Sequence, residues 1–223
     1  MSTLQTLDRG LRALDVVSRS ANGISVADLA RELDVHRAIC YRIAATLEAH
    51  GLVSRTEDGL LRLGVGTAVL GARFEPGFTR EARVLLRSLA NETGATAFVS
   101  AAEGPDCVVI MVAEPESAAL RVAYRVGSRH PLTKGAAGIA ILAARPESRS
   151  DTDELRQVRR DGYSITSGQL ERGAVGVAAG VRAVPGSGFE HSIGVVALEG
   201  FDTAVAAKAV RSAARSLEDH LPQ

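Results

Sequence analysis

Apolar positions recur at steps of three and four through the first fifty residues. Leu4, Leu7, Leu11, Leu14 and Val17 form one stripe, which predicts an amphipathic helix over 4–20. Ala21-Asn22-Gly23 ends it. Ser25 then stands as a helix N-cap with Asp28 three residues on, an approximate capping box. Val26, Leu29, Ala30 and Leu33 give that second helix its apolar face. Asp34-Val35 forms a tight turn, and a third helix is expected over 36–50 with Ile39, Ile43, Ala44 and Leu47 inward. Gly51 stops it, as a C-terminal glycine does. Leu52–Arg55 and Leu60–Leu63 read as two short strands around Thr56-Glu57-Asp58-Gly59, whose Asp-Gly pair is a hairpin signal. Three helices followed by a hairpin is the order of a winged helix-turn-helix.

The pattern changes after that. Residues 64–77 are apolar but interrupted by glycine, and read as a linker or linking helix. A further amphipathic helix is expected over 79–93, with Ala82, Leu85, Leu86 and Leu89 inward. Strand periods follow at 96–102, 107–113 and 120–125, and a loop over 127–133 leads to a helix of small residues over 135–144. Another helix over 151–161, strands near 163–166, 173–184 and 192–198, and a terminal helix capped by Asp202 complete the chain. The reading is α+β: a winged helix-turn-helix domain at 1–63, a linker at 64–77, and at 78–223 a domain in which helices pack on an antiparallel sheet.

Composition narrows the function. A hydrophobic share of 46% with 23% charged residues is enough to bury a core, and no apolar run is long enough to span a bilayer. The first residues lack the basic and apolar regions of a secretory signal. With only Cys40 and Cys107 no disulfide framework is expected. These features imply a cytoplasmic protein with no membrane partner. Lys+Arg and Asp+Glu both number 26, so no global field steers the chain toward phosphate. DNA binding must therefore rest on where charge is placed. Twenty-four of the 26 cations are arginine, which suits bidentate contacts to phosphate and guanine, although a GC-rich genome produces the same bias.

That placement favours DNA. In a helix-turn-helix the second helix enters the major groove N-terminus first. Here its first turn is His36-Arg37-Ala38, followed by Tyr41 and Arg42, a face separate from the inward residues. Arginine pairs with guanine or phosphate, and a tyrosine hydroxyl suits a phosphate oxygen. Arg55 and Arg62 lie on the wing strands, within reach of flanking backbone or minor groove. Ser25 opens a helix whose N–H groups face a phosphate. The chain lacks a nucleophile elbow, a Walker A loop, paired metal ligands and a dinucleotide fingerprint, and its five histidines are scattered. No enzyme activity, cofactor or metal is expected. Cys40 reads as an ordinary thiol and Cys107 as core.

Seven strings carry a resemblance. Leu7-Asp8-Arg9-Gly10-Leu11-Arg12-Ala13-Leu14-Asp15-Val16-Val17, Ile24 through Leu33, and Tyr41 through Val53 resemble the IclR family of bacterial regulators. Gly127-Ser128-Arg129-His130-Pro131-Leu132 with Gly135 through Ala143 resembles the loop and helix of that family's effector domain, and Arg159 through Tyr163 and Gly176 through Val181 extend the match. The resemblance implies a GAF-like C-terminal domain, dimers or tetramers, an operator in double-stranded DNA, and control by a small-molecule effector, an organic acid or aromatic metabolite. By the same resemblance an effector cup is rimmed by Leu132, Thr133, Gly135, Ala136, Ala137 and Gly138. Met111 and Ala113 on one strand, and Ala179 and Val181 on another, are its expected apolar walls. The small residues there also suit plain close packing. A regulator without a ligand, using its C-terminal domain for oligomerisation or protein contacts, is the alternative. The chain departs from the family where Ala38 and Ile39 replace a usual Ser/Thr pair. The stretch between Ala144 and Asp153 is also short for the family, which implies a smaller or altered pocket.

Overall fold

The computed structural model describes residues 3–74, 76–116, 124–182 and 190–219. The chain divides into two compact units, Met1–Pro76 and Gly77–Gln223. The first contains α1 (Gln5–Arg19), α2 (Val26–Glu32), α3 (Arg37–Ala49), β1 (Val53–Arg55), β2 (Leu61–Leu63) and α4 (Val65–Ala72). Ser25 caps α2 by accepting from Asp28 N at 3.1 Å. Asp34 makes the turn to α3 with φ +51°, a region that Asp enters more readily than most side chains.

The core of this unit gathers Ala13 and Val17 of α1, Leu29 and Ala30 of α2, Cys40, Ile43, Ala44 and Leu47 of α3, and Val53 and Leu61 of the hairpin. Leu29 and Leu61 are fully buried, each stabilising the unit by roughly 1.5–3 kcal/mol. Two expectations are corrected. Leu4, Leu7 and Leu11 face outward, the first 77% exposed, because α1 turns Ala13 and Val17 to the core. Ile39 is 39% exposed, and Cys40, wholly buried, takes the inward place.

The hairpin and α4 are tied to the end of α3. Gly51 ends α3 with φ +67°. Its carbonyl accepts from Gly66 N–H at 2.9 Å, while Gly64 N–H donates to the Leu52 carbonyl at 2.9 Å. A Cβ on Gly64 would lie 2.2 Å from the Gly51 carbonyl oxygen. Only glycine permits that approach. The linking helix itself buries none of its side chains, and Val65 is 83% exposed.

The second unit holds α5 (Pro76–Thr93), β3 (Thr96–Glu103), β4 (Asp106–Ala113), β5 (Arg129–Pro131), α6 (Gly135–Ala144), α7 (Asp153–Asp161), β6 (Ser164–Ser167), β7 (Ala174–Val181), β8 (His191–Leu198) and α8 (Thr203–Glu218). All strand pairs are antiparallel, in the order β5-β4-β3-β8-β7-β6. The strand expected over 120–125 lies largely outside the described residues, as does the end of the terminal helix beyond Asp219. The sheet is covered on both sides. Leu86, Leu89 and Ala90 of α5 and Ala206, Val210 and Leu217 of α8 pack on one face against Val99, Val177, Val195 and Ile193. Ala136, Ala137, Ala140 and Ile141 of α6 pack on the other against Phe98, Val109, Ala178 and Val196. His191 lies on the first face with its ring centroid 5.0 Å from that of Phe78. Burial there pushes its pKa down to about 4, against the opposing pull of Glu190, so it is neutral at physiological pH.

Glycines let α6 come close to the sheet. A Cβ on Gly180 would stand 2.4 Å from the Ala140 carbonyl oxygen; one on Gly138 would stand 2.5 Å from the carbonyl oxygen of Leu132, in the loop that leads into α6. The small-residue helix is thus built for packing along most of its length.

Replacing Gly64 by Ala forces the wing and α4 apart and should destabilise the N-terminal unit by about 1–3 kcal/mol. Gly10→Ala, in α1 with no atom within 4 Å of the added Cβ, should stabilise it by up to about 1 kcal/mol. Native-state hydrogen exchange of the α3 amides reads both changes within the full chain.

Candidate functional site

The sequence of α3 separates two faces. Cys40, Ile43, Ala44 and Leu47 are buried, and His36, Arg37, Ala38, Ile39, Tyr41, Arg42, Ala45 and Thr46 are exposed. The Arg37 guanidinium carbon lies 5.8 Å from the centroid of the Tyr41 ring one turn on, within the range of a cation–π contact. This holds both side chains on the outer face. Arg42 is exposed beside them. Of the carboxylates near the face, Glu48 is already engaged. It receives Arg55 from the wing, Nε to Oε1 at 3.0 Å and Nη2 to Oε2 at 3.1 Å.

That pair changes the role expected of Arg55. The guanidinium braces the hairpin against α3 and has its charge answered within the fold. Ser25 is likewise engaged, since its hydroxyl caps α2 and donates to Asp28 Oδ2 at 2.7 Å. Arg62 is exposed on β2. The hairpin tip carries exposed Glu57 and Asp58, which repel phosphate. The structure therefore exposes Arg37, Ala38, Tyr41 and Arg42 on one side of α3 and His36 at its N-cap, and leaves Ile39, expected in the core, partly exposed at the border of the buried face. Residues 1–76 hold nine arginines and nine carboxylates, so the unit has no net charge and its polarity is a matter of placement.

Burial removes both thiols from surface chemistry. It raises the Cys40 pKa and pushes that of Cys107 up to about 11. Thiolate is scarce at either position at neutral pH.

In the second unit a small hollow lies at the start of α6, and its walls differ from those expected of the cup. Ala136 and Ala137 line it together with Phe98, Tyr124, Thr166, Gln169, Leu170, Gly176 and Val196, and it encloses only about 60 Å³. Leu132 is buried beside it in the α6-side core, and Thr133 is exposed. Gly135 has φ +72°, with Leu170 Cδ1 2.6 Å from the place of a Cβ. Ala179 and Val181 belong to the opposite face, in the core under α5 and α8, and Met111 and Ala113 pack against that same core. The reason is the two-residue period of a strand. Gly176 and Gly180 of β7 face α6, so the odd-numbered residues point away from it.

The leading N–H groups of α6 are occupied. Gly135 N–H donates to Gln169 Oε1 at 2.8 Å, and Ala136 N–H donates to Thr166 Oγ1 at 3.0 Å. Tyr124 closes another side, its ring 4.9 Å from that of Phe98 and its hydroxyl 3.5 Å from His130 Nε2. The alternation of β6 marks Thr166 as inward. No local signal ties Gln169 or Leu170 to a helix more than thirty residues earlier. Among the described residues no cluster of His, Cys, Asp and Glu fits a metal ion, and no helix is long and apolar enough to cross a membrane.

A groove-sized helix presented by a winged helix-turn-helix, followed by a GAF-like sheet domain with a small cup, defines a DNA-binding transcriptional regulator. Comparison with known proteins names the family. Residues 6–57 match the IclR helix-turn-helix domain, and residues 77–152 match the C-terminal domain of bacterial transcriptional regulator IclR. The HTH-type transcriptional regulator XynR of Escherichia coli K12 is 26% identical over 208 residues, covering 81% of each chain. The HTH-type transcriptional regulator Rv1719 of Mycobacterium tuberculosis is 28% identical over 204 residues, 81% of this chain and 78% of the relative. The solved IclR regulator of Alicyclobacillus acidocaldarius shares the fold with a TM-score of 0.78 at 24% identity, over 98% of this chain and 99% of that one. An IclR homologue of Microbacterium hydrocarbonoxydans, complexed with 4-hydroxybenzoate, does so with a TM-score of 0.79 at 20% identity, over 97% and 98%. The chain belongs to the IclR family of transcriptional regulators.

Proposed function

We propose that this regulator places α3 in the major groove of an operator as part of a dimer, and that an organic acid or aromatic metabolite in the α6 cup modulates the binding. The observation that carries the reading is the outer face of α3, which is free of packing duties while the inner face is core. Arg37 suits a guanine edge or a phosphate, Tyr41 and Arg42 suit phosphates, and Arg62 reaches the flanking backbone from the wing. Ala38 and Ile39 offer methyl groups where hydroxyls are usual in the family, and apolar side chains in the major groove contact the thymine methyl. Ile39 thus shifts recognition toward thymine.

Self-association is supported by the apolar residues left outside the core. Leu4, Leu7 and Leu11 form one stripe at the start of and along α1, and Val65, Val69 and Leu70 are exposed on α4. Two copies would set two α3 helices about one turn of DNA apart, roughly 34 Å. With Arg37, Arg42 and Arg62 as its phosphate-reaching arginines, each protomer should give a salt slope of only about −3.

Selection from a random DNA pool by the full chain should enrich one pseudo-palindrome. Arg37→Ala and Arg42→Ala should each weaken its binding and flatten the salt slope by about 1 per protomer, about 2 for the dimer. Replacing operator thymines by deoxyuracil should cost the wild type about 0.8 kcal/mol per buried methyl and cost Ile39→Ser little. No enriched sequence would sink the operator reading; a wild type indifferent to deoxyuracil would sink only the thymine reading.

The effector reading is supported by the cup's position at the start of α6 and by the 4-hydroxybenzoate complex of the Microbacterium homologue. An acid would take the place of Gln169 Oε1 on Gly135 N–H, and Leu170 must move aside because about 60 Å³ is too little for such a ligand. The same closure favours the second reading, a C-terminal domain used for association alone. Gln169→Ala removes the internal competitor and should tighten 4-hydroxybenzoate or a small aliphatic acid about fivefold, seen as a larger rise in thermal midpoint. No rise in either protein with any acid would establish the ligand-free reading.

A further inference from the structure

A second hollow, larger than the cup, lies at the other end of α6. It encloses about 280 Å³ at the end of β7, beyond the last residue paired with β6. Its walls are the final turn of α6, the end of α7 with Gly162 and Tyr163, and the C-terminal half of α8. Arg159, Arg160, Arg182, Arg211 and Arg215 line it, against two carboxylates, Asp161 and Glu218.

Three of the five guanidiniums have work within the fold. Arg159 closes the end of α6, donating to the Ala143 carbonyl at 2.6 Å and to the Arg145 carbonyl, and pairs with buried Asp151 at 2.9 Å. Arg182 pairs with Glu218 at 3.3 Å, and its N–H donates to the same carboxylate at 2.8 Å. Arg160 donates to Gln157, whose amide also holds Asp161 at 2.8 Å. Arg211 and Arg215 make no hydrogen bond or ion pair among the described residues. Arg215 stands in the last turn of α8, where a cation offsets the helix dipole. Arg211 stands earlier in α8 and has no such role. It lies against Gly162, whose φ of +76° and missing side chain leave room for it, 3.4 Å from Nε to the place of a Cβ.

Two unanswered arginines one turn apart on a helix repel each other by a few tenths of a kcal/mol. Here both repelling charges line a concavity, where walls of low dielectric concentrate the field and draw in anions. Guanidinium forks bind carboxylate or phosphate oxygens two at a time. From this arrangement we infer that the groove is a binding site for a small polyanion, a metabolite carrying at least two carboxylate or phosphate groups, held by Arg211 and Arg215. The site is separate from the cup and does not depend on the effector reading given above. Ala136 and Ala137 line one hollow and Ala140, Ala143 and Ala144 the other, so both press on the same helix.

Isothermal titration of the full chain with inorganic pyrophosphate and with citrate, at fixed ionic strength, tests the site. At least one of them should bind, and the tighter of the two identifies phosphate or carboxylate as the preferred group. Acetate at the same ionic strength should give no saturable binding. The double variant R211Q/R215Q, altered only at exposed positions, should keep the unliganded thermal midpoint and bind at least tenfold more weakly. Silence with both polyanions, equal binding of acetate, or an unchanged affinity in the double variant would overturn the proposal. Thermal stabilisation by pyrophosphate in R211Q alone, compared with R215Q alone, separates the shares of the two side chains.

Discussion

The N-terminal unit depends on how α3 is held. Cys40, Ile43, Ala44 and Leu47 lock its inner face to α1, α2 and the hairpin, and close packing leaves such a helix little freedom to rotate. Its outer residues are therefore presented in a fixed arrangement. The Glu48–Arg55 pair and the Gly51 carbonyl then attach the wing and α4 to the same helix. The attachment is made at the C-terminal end of α3, at Glu48 and Gly51. The glycines at 64 and 66 make this connection short, because any side chain there would collide with the Gly51 backbone.

The second unit uses the same device for a different end. Glycines in β7 and in α6 allow the helix to lie almost on the sheet, leaving little room for a ligand along its middle. Space survives at its two ends. At the first, Gln169 and Thr166 hold the leading N–H groups of α6 and Leu170 packs against Gly135. At the second, the hollow is open and its arginines outnumber its carboxylates. A ligand acts on such a system only through different affinities for two arrangements, and in the proposed effector reading the displacement of Gln169 is the difference between them.

Much of this was legible in the sequence, and what was not has physical causes. The capped and periodic segments, α2, α3, the Asp-Gly hairpin and α8, are set by interactions a few residues apart. The face of α3 was harder. Ile39, Ile43 and Leu47 satisfy helical spacing, but Cys40 sits on the same arc, and tertiary packing chose the smaller residue. The leucines of α1 fit a stripe equally well and lie outside the core, because Ala13 and Val17 already fill the approach to α3. Strand β5 is a three-residue edge ending in Pro131, too short to show a period. The walls of the cup depend on which parity of β7 faces α6, and a shift of one residue exchanges the faces. The engagement of Arg55 by Glu48 and of Gly135 by Gln169 joins residues whose proximity only the folded chain creates.

The central claim is that the face of α3 left out of the core is the face that meets DNA. Hydroxyl-radical footprinting of the full chain, free and bound to its selected operator, tests it residue by residue. The account predicts strong protection of His36, Ile39 and Tyr41 with no change at the already buried Leu29 and Leu47. Unchanged reactivity at Ile39 and Tyr41 in a saturated complex, with protection elsewhere, would contradict it.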